Sequence, residues 1–204
     1  METNVSTVIV VTGASRGIGK AIALSLAAPD TALIINCSKS AGRLELVKEE
    51  IIKKGALCET FVGDVSNYST VNEMFDLAIS IYGKVNILIN NAGIASIGLF
   101  QDMTPDMWNN IMSVNLNSVY NCCHFAVQDM LRRHCGKIIN ISSVWGLYGA
   151  SCEVAYSATK GAINSFTKAL AKELAPSNIQ VNAIACGAID TEMNGHLSPE
   201  ELQE

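Results

Sequence analysis

Residues 7–19 read TVIVVTGASRGIG, in which a run rich in β-branched residues passes directly into three closely spaced glycines. Residues 7–12 predict a short buried strand, and residues 17–28, which end before Pro29, predict a helix. The glycines at the junction permit a tight turn and a close approach to the backbone. Because the first N–H groups of a helix attract phosphate, the segment predicts a strand–turn–helix unit that binds a pyrophosphate.

The same alternation of strand and helix continues along the chain. Short apolar runs predict five further strands, at residues 32–37, 57–62, 85–90, 137–142 and 179–185. The segments between them predict helices at residues 43–54, 70–82, 105–133 and 156–174, the third opened by Thr104 as N-cap and Pro105 in its first turn. We therefore expect an α/β fold, a Rossmann-like, doubly wound parallel sheet of six strands with helices on both faces. No linker or repeat interrupts the pattern, so residues 1–204 are interpreted as a single domain.

The composition is that of a folded protein with an acidic balance. The 204 residues are 49% hydrophobic and 16% charged, which excludes an intrinsically disordered chain. The aliphatic runs have the length of strands, well below the roughly 20 residues that cross a bilayer, so we expect no membrane partner. The net charge is −5, with no basic block beyond Arg132 and Arg133, so we expect no nucleic-acid partner.

Cysteine and histidine usage indicates a reducing compartment and no metal. The seven cysteines are scattered, odd in number and without a C-x-x-C pair, which weighs against a disulfide framework. No basic and apolar leader opens the chain, so we expect a cytoplasmic protein. We expect no metal site, because none of the three histidines has ligand spacing to a cysteine pair: His124, His134 and His196.

The glycine turn also matches a competing motif. Residues 13–17 spell G-x-S-x-G, the nucleophile elbow of serine hydrolases. Such an enzyme needs an acid and then a histidine downstream, and Asp190 followed by His196 comes nearest to that order. Nothing else in the chain supports a catalytic triad. The serine of the motif, Ser15, is therefore interpreted as part of the phosphate-binding turn.

A second constellation points to acid–base chemistry. Tyr156 and Lys160 are four residues apart and share one face of the predicted helix. Such pairs also arise by chance on amphipathic helices, but a tyrosine works as an acid or base near neutral pH only when a cation lowers its pKa, as an adjacent ammonium does. Other polar residues end predicted strands or lie inside the long helix: Ser142, Ser143, NNAG at residues 90–93, and Asn115.

Taken in order, these segments resemble the short-chain dehydrogenase/reductase family. The resemblance extends over residues 8–191 and rests on TGASRGIG, Asp64 with Val65, NNAG, Asn115, Ser143, YSATK at residues 156–160 and GAIDT at residues 187–191. Within the family, the chain is most similar to the 3-oxoacyl-[acyl-carrier-protein] reductases. The resemblance implies a nicotinamide cofactor and hydride transfer to a ketone.

The resemblance assigns a role to each catalytic position. Tyr156 would be the general acid that protonates the carbonyl oxygen, and Lys160 would lower its pKa and hold the nicotinamide ribose. Ser143 would hydrogen-bond the same oxygen, and its spacing of thirteen residues from Tyr156 favours it over Ser142. Asn115 would hold a water that links Lys160 to solvent. The cofactor would be held by Gly13, Ser15, Arg16, Gly17, Ile18, Gly19, Asn36, Ser38, Lys39, Asp64, Val65, Asn90, Asn91, Ala92, Gly93, Tyr156, Lys160, Gly187, Ile189 and Thr191.

The charges near the glycine turn favour NADPH. NAD-binding enzymes of this architecture place an acid after the second strand, where it accepts a hydrogen bond from the ribose 2′-hydroxyl. Here residues 36–40 read NCSKS, without a carboxylate. Arg16 and Lys39 could instead bind a 2′-phosphate, which an acid would repel. The competing interpretation is that both are solvated surface charges.

The substrate is interpreted as a small-molecule or carrier-bound ketone. A 3-oxoacyl group on acyl carrier protein, which is acidic, would need a basic dock near the site, supplied in part by Arg132, Arg133 and Lys137. Residues 177–178 read Ser-Asn, where related reductases often carry an arginine, and this absence, with the net charge of −5, weighs against acyl carrier protein as the partner.

Two alternatives stay open. Residues 144–153 resemble a branch that reduces an aminopentanone group on elongation factor P, in which Glu153 would either meet the amine or simply face the helix dipole. The other alternative, from a different class, is a non-catalytic NADP-binding regulatory protein.

The C-terminal part departs from the family pattern. Cys186 stands where the family usually has proline, so we expect a looser loop over the nicotinamide. Family members continue through another helix and a seventh strand, which we expect to be missing here, with Ser198 and Pro199 starting a helix. We expect a homo-oligomer: a dimer through the helices at residues 105–133 and 156–174, and a tetramer for a full-length form.

Overall fold

Six parallel strands form one sheet in the computed structural model, which describes residues 5–192. The strands are β1 (Thr7–Val11), β2 (Thr31–Cys37), β3 (Leu57–Val62), β4 (Ile87–Asn90), β5 (Gly136–Ser143) and β6 (Ile179–Cys186). Their order across the sheet is β3-β2-β1-β4-β5-β6. The α/β, Rossmann-like fold predicted from the sequence is confirmed.

Helices connect the strands and cover both faces of the sheet. They are α1 (Gly17–Leu26), α2 (Ala41–Lys53), α3 (Tyr68–Tyr82), α4 (Pro105–Met112), α5 (Ser118–Arg133), α6 (Trp145–Tyr148) and α7 (Val154–Leu174). The predicted single helix over residues 105–133 is wrong in one respect, because a π-helical stretch, Ser113–Asn117, separates α4 from α5. The sequence pattern does not predict α6, because four residues are too few to show a helical period.

Side-chain caps set the beginnings of two helices. The Asn67 carboxamide oxygen accepts from the N–H groups of Ser69 (3.0 Å) and Thr70 (3.2 Å), so α3 begins two residues before the predicted position. The Thr104 hydroxyl accepts from the N–H of Met107 at 3.2 Å, which gives α4 the predicted capped start.

Both faces of the sheet are buried, as a parallel sheet between helices requires. In β1, Ile9 and Val11 belong to the core beneath α1 and α2. Val10 points the other way, aligned with Ile34 of β2 and Leu88 of β4, into the core beneath α3, α5 and α7. The apolar runs are continuous in the central strands β1, β2 and β4 because these bury both faces, whereas buried and exposed residues alternate along much of the edge strand β6.

The strand order opens a crevice between β1 and β4. From β1 the chain builds β2 and β3 on one side, and from β4 it builds β5 and β6 on the other. The connections after β1 and β4 therefore lead to strands on opposite sides of the crevice. Open α/β sheets bind ligands at such a point, outside the carboxyl ends of the strands. The glycine turn, the NNAG segment and Ser143 all lie at this edge.

The described residues contain neither a membrane span nor a metal-binding cluster. Within residues 5–192, no helix is long and apolar enough to span a membrane. In the same range, no group of three or more His, Cys, Asp or Glu side chains could hold a metal ion. His196 and the predicted helix start at Ser198 and Pro199 lie outside the described residues.

Candidate active site

The glycine turn after β1 is locked to the loop after β4. Gly13 has a φ of 64°, and a Cβ there would lie 2.9 Å from the Cα of Ala92. The Asn91 side chain donates to the carbonyl oxygens of Thr12 and Gly13, both at 3.0 Å. The Thr12 hydroxyl accepts from the N–H groups of Asn91 (3.0 Å) and Ala92 (3.1 Å). Any side chain at position 13 would therefore force the two loops apart.

The same turn brings the N-terminus of α1 to the crevice. Arg16 is the extended N-cap residue, and Gly17 follows with a φ of 54°. No side chain within residues 5–192 caps α1, so its first N–H groups can face an anion. Gly19 lines neither of the two cavities at this edge, and instead packs against Gly13 and Asn91 with no room for a side chain. This backbone fits a pyrophosphate.

A cleft of about 420 Å³ runs from the glycine turn to the ends of β2 and β3. Many residues predicted to hold the cofactor line it: Gly13, Ser15, Arg16, Gly17, Ile18, Asn36, Ser38, Lys39, Asp64, Val65, Asn91, Ala92, Gly93 and Thr191. Ser15 lies in the turn itself, beside the uncapped end of α1. The cleft combines backbone amides with basic side chains, which suits the adenosine and diphosphate part of a dinucleotide.

A smaller cavity of about 210 Å³ adjoins the cleft. The two share part of their lining, formed by Ile18, Asn91, Gly93 and Thr191. The predicted residues Ser143, Tyr156, Lys160, Gly187 and Ile189 line the smaller cavity. Other residues there are Ala95, Ile97, Trp145, Glu153 and Cys186. The structure therefore brings three of the four predicted catalytic side chains, Ser143, Tyr156 and Lys160, to one end of the larger cleft.

Tyr156 and Ser143 both line the smaller cavity. Ser143 ends β5, and its Oγ accepts from the N–H of Trp145 at 3.2 Å. Burial raises the pKa of Tyr156, and the neighbouring Ser143 side chain opposes that rise. The pKa of Tyr156 is therefore above its ordinary value, which differs from the lowering by Lys160 expected from the sequence, and the tyrosine keeps its proton at neutral pH. Ser142 instead donates to the carbonyl oxygen of Lys160 at 3.3 Å, which joins β5 to α7.

Lys160 is buried one helical turn beyond Tyr156. Its side chain is 5% exposed, and its Nζ lies 5.4 Å from the centre of the Tyr156 ring. The Nζ donates to the carbonyl oxygen of Ile141 at 2.8 Å. Burial lowers the pKa of Lys160 to about 8. The ammonium therefore lies beside the tyrosine in surroundings where little water screens its charge.

Asn115 lies in the π-helical stretch and is fully buried. Its side chain accepts from the N–H of Ile94 at 2.8 Å and donates to the Ile94 carbonyl oxygen at 2.9 Å. It also donates to the Thr159 hydroxyl at 3.2 Å. These bonds hold the loop after β4 against α7, next to Lys160. Asn115 lines neither cavity, so its expected part in a proton relay stays a prediction.

Asn90 does not line the cofactor groove, and that expectation is wrong. Its side chain is 4% exposed and donates to the Asn140 carboxamide oxygen at 2.8 Å and to the Cys123 sulfur at 3.3 Å. Successive residues of a strand point to opposite faces. At the end of β4, Asn90 points into the core towards α5, and Asn91 reaches the cleft.

The basic residues expected to form a dock near the site lie elsewhere. Lys137 and Ser143 are near opposite ends of β5, so roughly 20 Å of extended chain separates them. Arg132 and Arg133, at the end of α5, lie at the same edge as Lys137 and pair with Asp129 at 3.6 and 2.8 Å. These three basic residues therefore lie near the amino ends of the strands, whereas the site lies at the carboxyl ends.

The structure adds an ion-pair cluster that no sequence pattern predicts. The Nη1 atoms of Arg16 and Arg43 donate to the same carboxylate oxygen of Glu192, at 3.1 and 2.8 Å. The hydrogen bonds from Arg43 and Arg16 lower the pKa of Glu192. Arg16 and Glu192 line the larger cleft, as Lys39 does. Arg43 and Glu192 are 149 residues apart in the chain, which is why no local signal links them.

Comparison with known sequences gives consistent matches. The family profile described as short chain dehydrogenase matches residues 7–202. A 3-oxoacyl-[acyl-carrier-protein] reductase of Staphylococcus aureus is 40% identical over 194 residues, which are 95% of this chain and 78% of that protein. The reductase of the same name from Synechocystis sp. is 37% identical over 195 residues, which are 96% of this chain and 79% of that protein.

Solved structures share the architecture. A putative short-chain alcohol dehydrogenase from Sinorhizobium meliloti 1021 superposes with a TM-score of 0.91 at 32% identity, over 98% of this chain and 79% of that one. A xylitol dehydrogenase with bound NAD⁺ superposes with a TM-score of 0.86 at 31% identity, over 92% of this chain and 72% of that one.

Proposed function

The chain belongs to the short-chain dehydrogenase family of oxidoreductases, as its ordered motifs indicate, and we propose that it is an NADPH-dependent carbonyl reductase that transfers hydride to a ketone. One observation carries this proposal. Tyr156 and Ser143, with the Lys160 ammonium beside the tyrosine ring, line a cavity that adjoins the larger cleft.

The larger cleft fits a nicotinamide dinucleotide that carries a 2′-phosphate. The glycine turn and the uncapped N-terminus of α1 would hold the diphosphate. Arg16, Ser38 and Lys39 line the part of the cleft at the end of β2, where the sequence has no carboxylate to bind a free ribose hydroxyl. Arg43 adds a second guanidinium beside Arg16, which further favours a phosphate.

The residues of the smaller cavity can perform the acid step. The bound nicotinamide supplies the hydride. Tyr156 donates its hydroxyl proton to the ketone oxygen as negative charge develops there. Ser143 holds that oxygen by a hydrogen bond, and the Lys160 ammonium stabilises the tyrosinate that remains. Asn115 would hold a water through which Lys160 exchanges a proton with solvent.

Replacing Tyr156 by phenylalanine tests the proposal, because it removes the acid and keeps the ring. We expect Tyr156→Phe to lower kcat by about 100- to 10,000-fold while the Kd for NADPH, measured by fluorescence, changes little. Tyr148→Phe, at an exposed tyrosine on α6, is the matched control and should keep full turnover. Unchanged turnover in Tyr156→Phe would contradict the role of this residue.

Two substrate classes have support. A 3-oxoacyl thioester is the first, because two reductases named for such substrates are 37–40% identical and because Ile97 and Trp145 give the cavity an apolar wall for an acyl chain. Arg132, Arg133 and Lys137 lie far from the smaller cavity, near the amino ends of the strands. They therefore do not form a basic dock for a carrier protein beside the site.

An amino-ketone is the second class, and Glu153 favours it. The Glu153 carboxylate lines the smaller cavity, and its negative charge contributes to the raised pKa of Tyr156, after the effect of burial. A carboxylate in the lining of the same cavity could pair with an ammonium on the substrate. A panel with NADPH and an acyl thioester, an amino-ketone and an aromatic ketone separates the classes by kcat/KM. Binding of NADPH without turnover of any ketone would favour a regulatory protein.

A further inference from the structure

The Glu192 carboxylate lies between Arg16, which lines the larger cleft as Glu192 does, and Arg43, which lies beside it outside the lining. Arg16 precedes α1, Arg43 lies in the first turn of α2, and Glu192 follows the segment that comes after β6. One carboxylate oxygen of Glu192 accepts from both guanidinium groups, at 3.1 and 2.8 Å. All three side chains are more than half exposed, so a soluble ligand can reach them.

The partners that meet Glu192 are those that a phosphate monoester uses. Two guanidinium groups converge on one anionic oxygen, which is the donor set that arginines offer to carboxylates and phosphates alike. Ser38 and Lys39 line the same cleft and add a hydroxyl and an ammonium. A carboxylate carries one negative charge and a phosphate monoester nearly two, so the arginines would favour the phosphate.

We propose that Glu192 is an internal competitor for the site of the cofactor 2′-phosphate. The side chain must leave Arg16 and Arg43 before a 2′-phosphate can pair with them, so Glu192 lowers the affinity for phosphorylated nucleotides and leaves the affinity for unphosphorylated ones unchanged. Glu192 thereby sets how strongly the protein distinguishes NADPH from NADH. This inference rests on the proposed function, because it presumes that the cleft binds the adenosine end of the cofactor.

Glu192 directly follows a segment that lines the smaller cavity. Gly187, Ile189 and Thr191 precede it and line that cavity, and Thr191 also contacts the glycine turn, since a Cβ on Gly17 would lie 3.6 Å from its side chain. While Glu192 pairs with the arginines, its ion pairs hold the end of this segment at the adenosine end of the cleft.

Binding of two small nucleotides by isothermal titration calorimetry tests the inference without any turnover. Adenosine 2′,5′-bisphosphate carries the 2′-phosphate, adenosine 5′-monophosphate does not, and neither contains nicotinamide. We expect Glu192→Gln to tighten bisphosphate binding by roughly threefold to tenfold at low salt, since exposed ion pairs have modest strength, and to leave monophosphate binding within about twofold. In the Arg43→Gln background, the gain from Glu192→Gln should shrink.

The matched control is Glu50→Gln, which removes another exposed carboxylate that pairs with a lysine, Lys20, at 2.9 Å and lines neither cavity. It should change neither affinity. Unchanged or weaker bisphosphate binding in Glu192→Gln would overturn the inference, as would equal tightening for both nucleotides. A wild-type protein that does not prefer the bisphosphate would instead contradict the proposed NADPH preference, while tighter bisphosphate binding in Glu192→Gln would still support the competition.

Discussion

Lys160 carries its charge where burial opposes it. The pKa of this lysine is lowered from the ordinary value of 10.5 to about 8, chiefly by burial. Below a pH of about 8 the ammonium is present beside Tyr156, and above that pH it is lost. A lysine on the surface would keep its charge throughout this range. The proposed acid step would therefore depend on a cation that is lost under mildly alkaline conditions.

We predict that kcat/KM for ketone reduction falls as the pH rises through about 8, because the loss of the Lys160 charge withdraws support for the tyrosinate. A rate profile for kcat/KM between about pH 6 and pH 9.5 measures this. Lys160→Met should lower the rate at neutral pH and abolish the alkaline decline. Lys168→Met, at an exposed lysine on the same helix, should leave the profile intact. A kcat/KM that stays constant through pH 8 in the wild-type protein would contradict the proposed support of the tyrosinate by the Lys160 charge.

Side chains of the candidate site differ in how well their positions can be predicted from the sequence. Tyr156 and Lys160 follow from helical spacing, which is local information. Asn90 and Asn91 are neighbours in the chain, but only one can face the cleft, and the motif alone does not say which. Arg43 and Glu192 meet across 149 residues, so no periodicity could bring them together.

Helix α6 packs closely against α7 at Lys160. A Cβ on Gly146 of α6 would lie 2.6 Å from the carbonyl carbon of Lys160 and 2.8 Å from its Cβ. The contacting atoms on the Lys160 side are backbone and Cβ, which cannot rotate away. The two helices can pack this closely only when residue 146 is glycine.

We predict that Gly146→Ala destabilises the protein by about 1–3 kcal/mol, because α6 must move off α7. Urea denaturation measures the loss, and the rate of ketone reduction should fall as well, since the displaced backbone carries Lys160. Gly42→Ala is the control: that glycine lies in α2, where an added methyl group would meet nothing within 4 Å, and alanine there should stabilise the helix by about 0.5–1 kcal/mol. Equal stability of the Gly146→Ala variant and the wild type would show that α6 yields without cost.

The helix pattern over residues 105–133 illustrates the limit of prediction at the scale of an element. Apolar periodicity runs through the whole stretch, so it predicts one helix. The π-helical Ser113–Asn117 departs from the α-helical hydrogen-bond pattern inside that stretch. The departure coincides with the bonds of Asn115 to Ile94 and Thr159, which are tertiary contacts and leave no mark in the local sequence.

At the scale of the whole molecule, one side of the sheet presents an aromatic surface on α5. The rings of Tyr120 and His124 are 5.8 Å apart, and those of Tyr68 and Phe125 are 4.7 Å apart. Tyr120 is 50% exposed. Exposed aromatic clusters of this kind mark association surfaces. The dimer predicted through the helices at residues 105–133 and 156–174 would cover this patch.

We predict that the protein is a dimer in solution and that Tyr120→Glu dissociates it, because a buried, unpaired carboxylate opposes association. Size-exclusion chromatography with light scattering measures the mass of each form. Leu46→Glu places the same charge on a similarly exposed apolar site of α2, on the other side of the sheet, and should leave the oligomer unchanged. A monomeric wild-type protein would remove the basis for this interface.

The overall topology is the part that the sequence reveals best. Each strand and its following helix are encoded by local patterns, and right-handed parallel connections leave few arrangements for them. The location of the basic residues Arg132, Arg133 and Lys137 is less apparent, because Lys137 and Ser143 are only six residues apart in the chain but lie near opposite ends of the same strand.

The lining that the two cavities share has a consequence for how this enzyme could diverge in evolution. Asn91 and Thr191 line both cavities, so a substitution at either position alters the proposed nucleotide site and the proposed ketone site together. Cofactor preference and substrate preference therefore cannot be selected independently at these positions. Ala95, Trp145 and Glu153 border the smaller cavity alone. New substrates can thus be acquired by mutation at those three positions, while the inherited cofactor is kept.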